Sequence, residues 1–240
     1  MQIIPYILFG FPTLINFLKT VNRLLEYPNV PYVEIGVPSN NPYMDGLTIK
    51  NCHEVVREKG FNLRDFINFL TKKYPGNAAR KLILMGYPKD IDNFGLQKFK
   101  KEIKTCKIAG CIIINNTDKV IDYANYIGVP AIPIVTVDYD ETTLNAFMKT
   151  RPPFIYFKVS SGKTGKTRFF KRHILSKSLQ NIRKNWPTMK IFAGFGIENI
   201  SHAKLMKEIG FDGIIIGSAL LKIMAKKKSI YNLINELGEI

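Results

Sequence analysis

Cysteine, histidine and tryptophan are scarce in this chain of 240 residues, at three, three and one. Cys52, Cys106 and Cys111 are scattered, form no CxxC pair and match no zinc spacing. That excludes a disulfide framework and a zinc module, and leaves buried thiols in a reducing cytoplasm. His53, His173 and His202 are equally far apart, so no metal is expected. No apolar run approaches the length of a membrane span. The opening MQIIPYILFGFP carries two prolines, no basic leader and no cleavage-like site, and reads as a first strand, not a signal peptide. No linker, low-complexity tract or break in composition divides the chain, so residues 1–240 are expected to form a single domain.

Acidic residues are also few: 19 against 35 basic ones, a formal charge of +16. Such a balance suits nucleic-acid binding or a lysine-coated protein biased toward anionic substrates. The lysines run along the whole chain, with local concentrations at Lys163–Arg172 and Lys226–Lys228. No aromatic-basic RNA-binding motif is present, so the second reading is preferred.

What is abundant is the short apolar run. Eight are read as strands: Ile3–Leu8, Tyr32–Ile35, Leu82–Met85, Cys111–Ile114, Ala131–Val135, Phe154–Phe157, Lys190–Ala193 and Gly213–Ile216. Their few polar interruptions suit a parallel sheet covered by helices. Between them lie amphipathic stretches. Leu14, Phe17, Leu18, Val21, Leu24 and Leu25 recur at helical spacing. Similar stripes end at Gly60, precede Pro75, and fall within 94–104, 119–126, 142–149, 176–185 and 203–209. Thr117, Asp140 and Ser201 are expected N-caps, and Gly128 and Gly210 expected C-terminal stops. Eight strand–helix units predict an α/β single-domain (β/α)8 barrel, with a doubly wound open sheet as the alternative. The first strand ends in Gly10-Phe11-Pro12, without the GxGxxG of dinucleotide binders. The longest insertion follows the second strand, and in barrels such loops build active sites.

That insertion, with the strand before it, holds two carboxylates in VEIGVPSNNPYMDG: Glu34 and Asp45. Alternation along the strand turns Val33 and Ile35 outward and Glu34 into the barrel near its C-terminal mouth. Burial there would raise the Glu34 pKa and allow proton exchange near neutrality. Asp45 precedes a glycine, so a plain turn is an equal reading on local grounds. Glycines mark three later strand ends, at Gly162-Lys163-Thr164-Gly165, Gly194-Phe195-Gly196 and Gly217-Ser218. Exposed backbone amides at such turns, the last opening a helix, would bind a phosphate. GKTGKT at 162–167 is superficially similar to a nucleotide-binding loop, but Ser160 stands where its first glycine belongs. A mobile lid is expected there instead.

The run EIGVPSNNPYMDGLTIKN (Glu34 to Asn51) resembles the signature of the tryptophan synthase alpha subunit family, close to E-L-G-[VI]-P-F-S-D-P-x-A-D-G-P-x-I-Q. PYILFGFP (Pro5 to Pro12), SSGKTG, GFGI at Gly194–Ile197 and IIGSA ending at Ala219 are similar to its other segments, in the same order. The resemblance implies a (β/α)8 barrel that cleaves indole-3-glycerol phosphate to indole and glyceraldehyde 3-phosphate. It makes Glu34 and Asp45 the catalytic carboxylates. Tyr6, Tyr87, Tyr156 and the lid's Thr164 would surround the substrate. Gly162, Gly165, Gly194, Phe195, Gly196, Gly217 and Ser218 would hold its phosphate.

It further implies no cofactor in this chain and a pyridoxal-phosphate beta subunit as partner, in an alpha2beta2 complex, touched by the loop around Pro42. Departures from the family pattern are Ser39-Asn40-Asn41 for F-S-D, Lys163 for the lid valine, Asn116 for an aspartate after the fourth strand, and the absence of a leading helix. Other phosphate-binding barrels, of phosphosugar isomerase or prenyl transferase type, and an inactive anion-binding or regulatory barrel are the alternatives.

Overall fold

The computed structural model describes residues 1–74, 76–114, 118–161 and 168–240. Its first half runs β1 (Gln2–Leu8), α1 (Leu14–Glu26), β2 (Val33–Gly36), α2 (Leu47–Glu58), α3 (Leu63–Lys73), β3 (Leu82–Gly86), α4 (Pro88–Phe94), α5 (Leu96–Cys106) and β4 (Gly110–Ile113). Then come α6 (Asp118–Ile127), β5 (Ile134–Val135), α7 (Glu141–Met148), β6 (Ile155–Lys158), the short antiparallel pair β7 (Ser160–Ser161) and β8 (Arg168–Phe169), and α8 (Arg172–Asn185). The chain finishes with β9 (Ile191–Gly194), α9 (Ile200–Ile209), β10 (Gly213–Ile216), α10 (Ser218–Ala225) and α11 (Tyr231–Gly238).

Eight strands pair in parallel in the order β4-β3-β2-β1-β10-β9-β6-β5. A parallel bridge from Cys111 to Ala131 joins the two ends, with Ile132 N–H donating to Cys111 O at 2.9 Å. The sheet is thereby a barrel, and the open-sheet alternative falls. Ile3, Ile4, Ile7, Val33, Ile35, Ile83, Ile214 and Ile216 are wholly buried, as strands enclosed between barrel interior and helices must be.

Several boundaries move. The fifth strand, expected over Ala131–Val135, is only Ile134–Val135 plus the Ala131 bridge, because prolines at 130 and 133 have no N–H to give a ladder. Phe154 and Lys190 precede their strands instead of opening them. The helix expected over 94–104 is α5, starting after Gly95 with φ 95°, and an unexpected α4 precedes it. Asp140 caps α7 as expected, but Ser201 does not cap α9: the Asn199 side chain accepts from His202 N–H there. Gly210 does end α9 in the left-handed region. Thr117 lies outside the described residues.

At the N-terminal end of the barrel, aromatic rings fill the interior. Phe154 packs edge-on to Phe192 at 5.1 Å and lies 5.6 Å from Tyr32. Gly213 lets Phe192 in: a Cβ there would sit 2.4 Å from the ring and 2.5 Å from Gln2 O. Because the second contact is backbone, neither side can yield cheaply. Gly213→Ala is expected to cost about 1–3 kcal/mol, read as a lower urea midpoint at unchanged slope.

Candidate active site

The C-terminal ends of the strands converge on one narrow cleft, lined by Tyr6, Glu34, Asp45, Met85, Tyr156, Phe195, Gly196, Gly217 and Ser218 among others. Glu34 arrives there by register. It sits beside Tyr6 of β1 and Ile83 of β3, and side chains on the same face point inward. Two glycines make room for the tyrosines. A Cβ on Gly36 would fall 2.2 Å from the Tyr6 hydroxyl, and one on Gly194 2.2 Å from the Tyr156 ring. Gly194 therefore serves as packing space beneath Tyr156 and does not line the cleft, whereas Phe195 and Gly196 do.

Glu34 is 1% exposed and its Oε2 has no hydrogen-bond partner. Burial, and then the nearby Asp45 carboxylate, push its pKa up to about 8. An unpaired charge in so dry a place is costly, and the group stays protonated instead. The consequence for stability has a definite sign. Because the folded pKa lies above the ordinary value of 4.5, this group's contribution is complete below that value and is lost as pH rises through about 8. Glu34→Gln should match the wild type in urea midpoint at pH 5 and exceed it at pH 9. An offset that does not change with pH would contradict the buried, protonated acid.

Asp45 belongs to the loop between β2 and α2 and is 4% exposed. The Tyr87 hydroxyl, just past β3, donates to its Oδ2 at 2.7 Å. Tyr43 packs edge-on to Tyr87 at 5.0 Å and donates its hydroxyl to Ile114 O, tying the loop to the rim of β4. Asp45 does close a turn, its N–H donating to Pro42 O at 3.1 Å, and its carboxylate shares the cleft with Glu34. Both carboxylates hold the Tyr6 and Tyr156 phenols well above their ordinary values, after burial, so these hydroxyls stay neutral donors.

Opposite the carboxylates the chain offers backbone amides. Gly217 precedes α10 with no side chain capping the helix, and Ser218 is its first residue. An uncapped helix start with amides directed at a cleft is a ready site for an anion. Phe195 holds φ 65° between two glycines, a backbone state a phenylalanine rarely adopts, and the Ser160 hydroxyl donates to its carbonyl at 2.6 Å. This pins the turn after β9 to β7.

Next to the cleft lies an apolar chamber of about 380 Å3 bounded by Met44, Ile113, Pro133, Val135 and Phe195. Lys158, at the end of β6, shares its wall with its ammonium 5.0 Å from the Phe195 ring, and burial lowers its pKa. Gly162, Thr164 and Gly165, like Lys163 and Asn116, lie outside the described residues. Among the described residues no group of three His, Cys, Asp or Glu side chains could hold a metal ion, and no helix is long and apolar enough to cross a membrane.

A family model described as tryptophan synthase alpha chain matches residues 1–238. The chain belongs to the tryptophan synthase alpha chain family. A tryptophan synthase alpha chain of Campylobacter jejuni is 26% identical over 241 residues, covering 99% of this chain and 94% of the relative. A solved alpha subunit from Campylobacter jejuni superposes with a TM-score of 0.78 at 26% identity, covering 100% of this chain and 95% of that one. A tryptophan synthase complex from Pyrococcus furiosus shares the fold, with a TM-score of 0.75 at 21% identity over 100% and 98% of the two chains. Tryptophan synthase alpha chains are lyases of tryptophan biosynthesis, and their reaction is the retro-aldol cleavage of indole-3-glycerol phosphate. The isomerase and prenyl transferase alternatives end here.

One buried polar side chain beside Asp45 escaped the sequence reading. His53 was noticed only as a histidine without metal partners, yet it is 2% exposed and 3.6 Å from Asp45 Oδ2. The signal was present: Ile49, Cys52, His53 and Val56 form the buried stripe of α2, and a histidine inside such a stripe needs a polar partner.

Proposed function

We propose that this chain, acting as one barrel domain, cleaves the carbon–carbon bond of indole-3-glycerol phosphate with Glu34 as proton carrier and Asp45 as electrostatic stabiliser. The observation that supports this most is a buried, protonated Glu34 sharing one cleft with a tyrosine-held Asp45. The Glu34 carboxyl gives its proton to indole C3, leaving positive charge on the ring nitrogen. Asp45 accepts the ring N–H and stabilises that charge. The Glu34 carboxylate then takes the proton of the neighbouring side-chain hydroxyl. The new carbonyl forms as the bond to C3 breaks, and its electrons restore the neutral indole ring. Glu34 ends protonated, ready for another cycle.

The apolar chamber beside Phe195 suits the indole ring, and the amides of Gly196, Gly217 and Ser218 suit the phosphate. Proton transfer and electrostatics suffice for this step, so the chain needs no cofactor of its own; pyridoxal phosphate belongs to a beta subunit. That partner would dock on the loop around Pro42, where Tyr43 is 39% and Leu47 76% exposed, giving an alpha2beta2 complex in the cytoplasm. Indole release from indole-3-glycerol phosphate, assayed with and without a tryptophan synthase beta subunit, tests both parts. Activity that rises on complex formation supports them. No indole under either condition sinks the catalytic reading, and no association with unchanged rate sinks the partner.

A further inference from the structure

We propose that His53 is a positioning residue for Asp45, its Nε2–H steering the carboxylate so that one oxygen is reserved for the indole nitrogen; this rests on the role given to Asp45 above. Three observations support it. First, the Nδ1 of His53 accepts the Ser39 N–H at 3.0 Å. A neutral imidazole that accepts at Nδ1 carries its proton on Nε2, so the ring presents a donor on its far side.

Second, that donor is buried and has no hydrogen-bond partner, yet it lies 3.6 Å from Asp45 Oδ2. An N–H sealed from water in this way is under pressure to find an acceptor. A shift of a few tenths of an ångström would make the bond, and such contacts commonly tighten when substrate binds. Third, Tyr87 donates to the same oxygen at 2.7 Å. Tyr87 and His53 therefore converge on Oδ2, and neither contact falls on Oδ1. A carboxylate gripped on one oxygen from two sides presents the other in a fixed direction.

The grip extends outward. The Asp90 carboxylate of α4 lies near Ser39 and His53, and its Oδ2 is buried without a hydrogen-bond partner. The Ser39 hydroxyl also accepts from Asn41 N–H at 3.2 Å. Ser39, His53 and Asp45 thus form one line from the loop to the cleft, through the segment where this chain departs from the family's F-S-D.

Two substitutions separate positioning from packing. His53→Asn keeps an acceptor near the Nδ1 position for Ser39 and deletes the Nε2 donor. His53→Gln places an amide N–H near the Nε2 position. The expected result is a kcat about tenfold lower in His53→Asn, with KM changed less than twofold and substantial recovery in His53→Gln. His53→Asn on an Asp45→Asn background should cost nothing further, since the group it positions is already gone. Full kcat in a folded His53→Asn, with Asp45→Asn inactive, overturns the His53 assignment alone. A wild type that releases no indole overturns the parent reading instead. Nitrogen NMR of the wild-type imidazole gives an independent readout if the variants fail to fold. The Nε2–H tautomer supports the proposal, and the Nδ1–H tautomer defeats it.

Discussion

Replacing Glu34 with glutamine is expected to lower the rate of indole release by roughly a hundred- to ten-thousand-fold, the range for loss of a general acid–base group. The amide keeps the shape of the side chain and, being neutral, tolerates the dry strand end at least as well as the carboxyl. Loss of rate should therefore come without loss of fold. The size of the effect follows from the double duty of the side chain: glutamine can neither protonate C3 nor take the hydroxyl proton. Substrate affinity should change little, because the phosphate and indole sites lie elsewhere in the cleft and chamber. Turnover near the wild-type value in Glu34→Gln would remove the proton carrier from the scheme.

Asp45→Asn should be nearly as damaging, by about a hundred- to a thousand-fold, for a different reason. Its carboxylate does not move a proton; it offsets charge that exists only after C3 is protonated. Interactions made in the transition state alone lower kcat and leave KM nearly unchanged when removed. Asparagine can still accept from Tyr87, so the loop should keep its place. A steady-state split in which KM rises and kcat holds would move Asp45 from stabiliser to binder.

Much of the barrel was legible in the sequence because its determinants are local. Runs such as ILFG and GIII and the amphipathic stripe of α1 each announce an element, and their repetition announces closure. The fifth strand was misjudged because Pro130 and Pro133 deny it a ladder while its apolar character persists. The α9 cap was misplaced by two residues because both Asn199 and Ser201 are good capping types, and only backbone geometry chooses between them. In the site, Glu34 was readable from strand alternation. The resemblance named Asp45, but its hold by Tyr87 depends on a contact between residues 42 positions apart. His53 stayed hidden because its meaning lies in a neighbour brought close by the turn from loop to α2, not in its own spacing. The +16 charge has no counterpart in the cleft, whose lining holds no lysine, arginine or histidine.

The pH dependence of kcat/KM for indole release tests the central claim most directly, since it reports ionisations of the free enzyme. A Glu34 loaded as an acid predicts activity that falls by one proton as pH rises through about 8, and residual activity in Glu34→Gln without that fall. A flat profile across this range in the wild type, or the same decline surviving in Glu34→Gln, would contradict it.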